Sequence, residues 1–90
     1  MIKKTAKQTK KGHKYIEVSI KEMIFSLFII GICDSCCKRM SEGYLIPVLN
    51  TIYCKECFDE WQETAEYHEE DKFYEDMKTE HFLEVLNGAE

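Results

Sequence analysis

The sequence predicts a small α+β domain organised around its cysteines. Three observations carry that expectation. The chain has 90 residues, enough for one domain. Its middle shows strand-like alternation and turn residues, while its C-terminal third shows helical spacing. Four of its five cysteines form two C-x-x-C pairs, in a chain too short to be comfortably stable on apolar burial alone.

Residues 1–13 are polar, lysine-rich and aperiodic, and read as a flexible basic arm. The domain proper is expected over 14–90. Lys14 to Ile20 alternates, with Ile16, Val18 and Ile20 on one face and Tyr15, Glu17 and Ser19 on the other, as in a short strand. Ser19-Ile20-Lys21-Glu22 matches a capping box, in which the serine hydroxyl accepts an early amide N–H and the glutamate reaches back. An apolar helix over about 20–29, ending at Gly31, would follow. A buried strand over 24–30 fits the same run, because short apolar runs do not separate the two. The stretch Met23 to Cys33 reads as core covering what comes next, or otherwise as an exposed patch that joins two copies or holds a partner.

Residues 33–39 (CDSCCKR) form a tight turn. Residues 43–54 read as a hairpin, GYLIPVL out, Asn50-Thr51 as the turn and IYC back, with Pro47 suited to an edge because it donates no ladder hydrogen bond. From Cys57 a helix is expected, with Phe58, Trp61, Ala65 and His68 on one face. A second helix over 72–87 would use Phe73, Met77, Phe82, Val85 and Leu86 as its apolar positions and stop at Asn87-Gly88.

Charge is segregated. Residues 1–22 carry +5, residues 23–57 are neutral and residues 58–90 carry −10, for a net charge of −5. The acidic part, 58–90, repels phosphate, and only the basic arm, Lys38, Arg39 and Lys55 offset it. The longest apolar run has 11 residues, well short of the ~20 needed to cross a bilayer. No secretory h-region and cleavage site follow the basic N-terminus. A cytoplasmic protein without membrane contact is expected, and in that compartment thiols stay reduced.

Reduced, paired cysteines are metal ligands. Cys33-x-x-Cys36 and Cys54-x-x-Cys57 are separated by 17 residues. Two cysteines three apart reach one ion from a single turn, and two such turns supply the four-sulfur tetrahedron that Zn2+ prefers. One structural zinc ion is expected on Cys33, Cys36, Cys54 and Cys57, with iron as the metal alternative. Four protein sulfurs leave no open position for water, which weighs against catalysis at the metal. Cys37 is the odd thiol. It stands where the backbone after a knuckle turns left-handed and glycine fits best, and it reads as a bystander, with a spare ligand or a redox-sensitive thiol as the alternatives.

The run CDSC…GYLIPVLNTIYCKECFDEW resembles a treble-clef zinc finger: a zinc knuckle, a β-hairpin, then a helix carrying the last ligands. YCKECF is similar to LIM repeats, and the 17-residue gap to GATA-type fingers. Residues 33–75 also resemble small uncharacterised zinc-binding proteins of gut bacteria and their mobile elements, which share the knuckle, the GYLIPVLN strand, the C-x-x-C-F-x-E-W helix and an acidic tail. The resemblance covers about half the chain. It implies the fold and the ligands Cys33, Cys36, Cys54 and Cys57, and no established activity. It lacks a second LIM-type ligand set, so a single zinc is implied.

Enzymatic chemistry is not expected. His13, His68 and His81 are isolated, and no nucleophile–base pair or phosphate loop is present. A protein-interaction module is the leading expectation, its anchors drawn from Phe58, Trp61 and Tyr67. Two alternatives remain. One is a nucleic-acid-binding finger, disfavoured because Asp59, Glu60 and Glu63 occupy the positions where a GATA-type helix is basic. The other is an acidic mimic of nucleic acid that occupies a partner's basic groove.

Overall fold

A computed structural model describes residues 4–88. The strands are β1 (Lys7–Gln8), β2 (Lys14–Ser19), β3 (Glu42–Ile46) and β4 (Thr51–Tyr53). The helices are α1 (Ile20–Phe25), α2 (Lys55–Thr64) and α3 (Lys72–Leu86), with a 3-10 turn at Glu69–Asp71 before the last. The strands form one antiparallel sheet in the order β1-β2-β3-β4.

Register follows from the alternation in the sequence. Ile16 pairs with Leu45, Val18 with Gly43 and Leu45 with Ile52, so one sheet face is continuously apolar. That face is covered by Met23 from α1, by Met40 and by Phe82, Leu83 and Leu86 from α3. The opposite face presents Tyr15 and Tyr44, and α2 lies on it through Phe58. The Phe58 ring is parallel to Tyr44 at a 4.5 Å centroid distance and tilted against Tyr15 at 4.7 Å. Fully burying one such side chain is worth about 1.5–3 kcal/mol. The buried apolar set is short, which leaves this domain in need of a further constraint.

Of the segment expected to be a flexible arm, the described residues 4–13 contact the rest of the fold. Lys7 and Gln8 pair with β2, and a turn closed by the Gly12 N–H on the Thr9 carbonyl (3.1 Å) joins the two strands. Gly12 adopts φ +107°, a conformation open to glycine, beneath the Tyr67 ring. His13 is buried between Trp61 and Tyr67. Lys11 donates to the carbonyls of Glu63 (3.1 Å) and Ala65 (2.7 Å), capping the C-terminus of α2 with a cation. The aperiodic polarity of 1–13 hides these contacts because they come from a backbone ladder and lysine heads.

Other boundaries differ in physical detail. The capping box forms as read: the Glu22 N–H donates to Ser19 Oγ and the Ser19 N–H to Glu22 Oε1. The helix then stops at Phe25 and not near residue 29. The N–H groups of Ser26 and Leu27 both donate to the Glu22 carbonyl, and Ile29 donates to Met23, around a left-handed Phe28 at φ +58°. A left-handed non-glycine residue costs roughly 1–2 kcal/mol. The run Met23 to Cys33 is therefore split. Met23, Gly31 and Cys33 are buried, while Ile24, Phe25, Phe28 and Ile30 are exposed. In the hairpin, the outgoing strand ends at Ile46. The turn is Pro47 to Asn50, with Asn50 left-handed, and Thr51 already belongs to β4.

α2 begins two residues earlier than expected, at Lys55, and ends before Ala65, leaving His68 exposed outside it. α3 occupies the expected span, but Phe73 and Met77 face solvent. Glu75 and Thr79 are buried in their place. The acidic C-terminal part is thus docked on the sheet. Glu75 accepts the Lys14 N–H, Asp76 pairs with the Lys14 ammonium at 2.7 Å, and the Asn87 side chain exchanges two hydrogen bonds with the Lys4 backbone. Among the described residues, no helix is long and apolar enough to cross a membrane.

Candidate metal centre

The two C-x-x-C segments meet at one end of the sheet. Cys33 to Cys37 is a tight turn closed by the Cys37 N–H on the Cys33 carbonyl (3.0 Å) and by the Cys33 N–H on the Lys38 carbonyl (2.9 Å). An Ile32–Arg39 bridge continues it outward. Cys54 follows β4 and is the N-cap of α2, with extended backbone and a side chain that caps nothing. Its carbonyl accepts the Phe58 N–H at 2.8 Å, which starts the helix and places Cys57 on the first turn.

All four sulfurs lie within 4.8 Å of one another. A tetrahedron of sulfurs around an ion at ~2.3 Å has edges of about 3.8 Å. Cys36 Sγ and Cys54 Sγ are already 3.7 Å apart. The geometry fits a single metal ion, and the five cysteines are all free thiols. Cys33 and Cys57 are buried, Cys54 half-buried and Cys36 exposed, so the site is anchored in the core and open at one edge.

The electrostatics suit thiolate ligands. Three backbone N–H groups point at Cys33 Sγ, from Cys54 at 3.3 Å, Ser35 at 3.4 Å and Cys36 at 3.5 Å. Burial pushes the Cys33 thiol up, but these N–H groups outweigh it and hold it down at about 6. Cys57 behaves in the opposite way. The Ser35 hydroxyl lowers it, yet burial and the thiols of Cys54, Cys33 and Cys36 push it up to about 12. Cys36 is raised too: the Lys38 N–H lowers it, and burial with the Cys33 and Cys54 thiols overrides that. One sulfur is thus readily ionised, and further negative charge among its neighbours needs a cation. A divalent ion supplies it, since metal-bound thiols are deprotonated outright.

Comparison of the chain with protein-family models, curated proteins and solved structures found no match in any of the three. What this site is therefore rests on its own chemistry. That chemistry is a four-cysteine cluster of the kind that binds metal structurally.

One feature escaped the sequence reading. Asp34, inside the first turn, is bonded to Ile52 on β4 and ties one ligand pair to the other. An aspartate directly after a ligand, a residue type that bonds nearby backbone in turns, was the available signal. Cys37 does stand in the left-handed conformation expected after the knuckle, at φ +64°, and is exposed. It lies outside the four-sulfur cluster. Of the candidate interface aromatics, Phe58 is buried core, Trp61 is half-buried against His13 and Phe58, and Tyr67 is exposed.

Proposed function

We propose that the chain is a zinc-stabilised protein-interaction module. Cys33, Cys36, Cys54 and Cys57 hold one structural Zn2+ in a treble-clef-like arrangement of knuckle, hairpin and helix. The observation that carries this reading is the closed set of four sulfurs within 4.8 Å, drawn from two turns on different elements. Four thiolates complete a tetrahedral shell and leave no position for a reacting water, so the metal serves as scaffold. Cysteines used as metal ligands and not as disulfides fit a reducing compartment such as the cytoplasm.

The interaction reading is supported by surface chemistry. Exposed phenylalanines and isoleucines cluster beside the site, while α2 turns Asp59, Glu60 and Glu63 to solvent, a face that disfavours phosphate. Metal analysis of protein purified without added metal tests the core of the proposal. One zinc per chain is expected, with loss of that stoichiometry in Cys36→Ser/Cys57→Ser. A chain that carries no metal, or that carries iron at one per chain in place of zinc, would reject the zinc scaffold.

A further inference from the structure

The apolar run 23–33 contains no charged residue in 11 positions. It ends up half outside the core. Phe25 is 75% exposed, Phe28 85%, Ile30 78% and Ile24 44%. Beside them opens a cleft of about 630 Å³, lined mainly by apolar side chains, Leu27, Phe28, Ile32, Leu45 and Phe82 among them, and also by the Cys33–Asp34 turn. One face therefore carries both a projecting aromatic and an apolar recess. Phe28 holds a left-handed backbone at φ +58° with its side chain exposed.

We propose that this face is a self-complementary dimer interface, in which Phe28 of each copy seats in the cleft of the other. This rests on the interaction-module reading and names its partner as a second copy of this chain. A two-fold interface needs one surface that supplies both halves of every contact, and this surface has both. Area supports the same occupant. An aromatic residue presents about 200 Å², so Phe25 and Phe28 alone offer roughly 300 Å² per copy and roughly 600 Å² across a pair. Ile24, Ile30 and the cleft walls carry the total toward the ~1,000–1,200 Å² at which specific interfaces begin. The run 23–33 is itself uncharged, and α3 of the acidic segment borders the contact through the apolar Phe82.

The test is analytical ultracentrifugation of the full-length, metal-loaded protein across the micromolar range, with metal content measured on every species. The wild type is expected at the mass of two chains. Phe28→Gly should weaken association by about 30-fold or more, as loss of a central aromatic anchor does. Glycine suits the left-handed position, so this variant keeps its fold. Phe25→Ser should weaken association as well, without touching that backbone. A wild type that is metal-loaded yet monomeric throughout overturns the proposal and leaves the face to a different protein. Dimers unaffected by both substitutions overturn it too. Because metal content is read separately, neither result is confused with failure of the zinc scaffold.

Discussion

Asp34 and Ile52 exchange two hydrogen bonds: the Asp34 N–H donates to the Ile52 carbonyl at 2.9 Å, and the Ile52 N–H donates to Asp34 Oδ2 at 2.8 Å. This pair bolts the turn bearing Cys33 and Cys36 onto the strand that leads to Cys54. Groups that orient metal ligands commonly matter by 10–100-fold in affinity. Asp34→Ala should therefore weaken metal binding by about that factor, and leave the buried Ile52 N–H without its acceptor at a cost of about 1–3 kcal/mol. Asp34→Asn retains an acceptor and should fall between. Competition against a chromophoric chelator measures both. An Asp34→Ala protein with wild-type affinity would show that the two turns hold their spacing without this pair.

Removing the metal should do more than empty a site. Apparent binding in zinc-finger peptides is worth ~10–16 kcal/mol and is coupled to folding. Here Cys33 belongs to the same buried cluster as Ile16, Leu45 and Ile52. Trp61 sits 4.8 Å from His13 and 6.0 Å from Phe58, so it reports on how α2 packs. A strong chelator should collapse the near-ultraviolet signal of Trp61 and the tyrosines in step with metal loss. An unchanged spectrum after complete stripping would mean that the core holds α2 unaided.

Legibility in the sequence divides along the range of the interaction. The ligand pairs, the Ser19–Glu22 box, the hairpin and both long helices are written in spacings of two to seven residues, and all appear in the fold. Contacts that span the chain are not written that way. His13 looks isolated because its ring partners, Trp61 and Tyr67, lie far along the chain. α3 attaches through Glu75 and Thr79 as well as Phe82 and Leu83, so a search for apolar periodicity nominated Phe73 and Met77, which face water. β1 is two residues of polar backbone pairing that no hydrophobic pattern announces. The apolar run 23–33 was ambiguous for another reason. Composition shows that it avoids charge, but not that the Phe28 turn divides it into a buried and an exposed half.

Cys37 offers a substitution that should stabilise. It holds φ +64° with its side chain exposed, where an L-residue costs roughly 1–2 kcal/mol and glycine costs little. Glycine's larger unfolded-state entropy offsets part of that gain. Cys37→Gly should raise stability by up to about 1 kcal/mol and leave metal stoichiometry unchanged. Thermal unfolding with parallel metal analysis checks both halves. Loss of metal in this variant would make Cys37 a ligand or a reserve ligand and not a bystander.

Glu22 should contribute to the acid limb of stability. Burial raises its carboxyl, but the Ser19 N–H and the Lys4 ammonium at 3.0 Å override that and hold it below the usual range. A carboxyl depressed in the folded state contributes stability above its unfolded pKa of about 4.3, and that contribution disappears as pH falls through the folded value. Glu22→Gln keeps an acceptor for the Ser19 N–H yet cannot ionise, so its stability should vary less between about pH 5 and pH 3. Glu22→Ala also loses the cap and should cost about 1 kcal/mol at neutral pH. Denaturant midpoints measured across that pH range decide the matter. Parallel curves for wild type and Glu22→Gln would remove Glu22 from the acid response.

Glu75 tests whether α3 is an integral layer. The residue is 2% exposed, its carboxyl accepts the Lys14 N–H at 2.9 Å, and its carbonyl accepts the Thr79 hydroxyl. Beside it, Asp76 takes both Lys14 and Lys72 ammonium groups, a half-exposed arrangement worth little alone. The buried acceptor is the part that matters. Glu75→Ala should leave the Lys14 N–H unpaired and create a small void, destabilising by about 1–3 kcal/mol. Glu75→Gln should cost less, since its amide oxygen can take the same N–H. Hydrogen exchange separates local from global effects: in Glu75→Ala, amides of α3 should lose protection before those of β3 and β4. If α3 and the central strands lose protection together, the helix is part of one cooperative unit with the metal-bound sheet. If α3 protection does not change, Phe82, Leu83 and Leu86 hold the helix in place without the carboxylate.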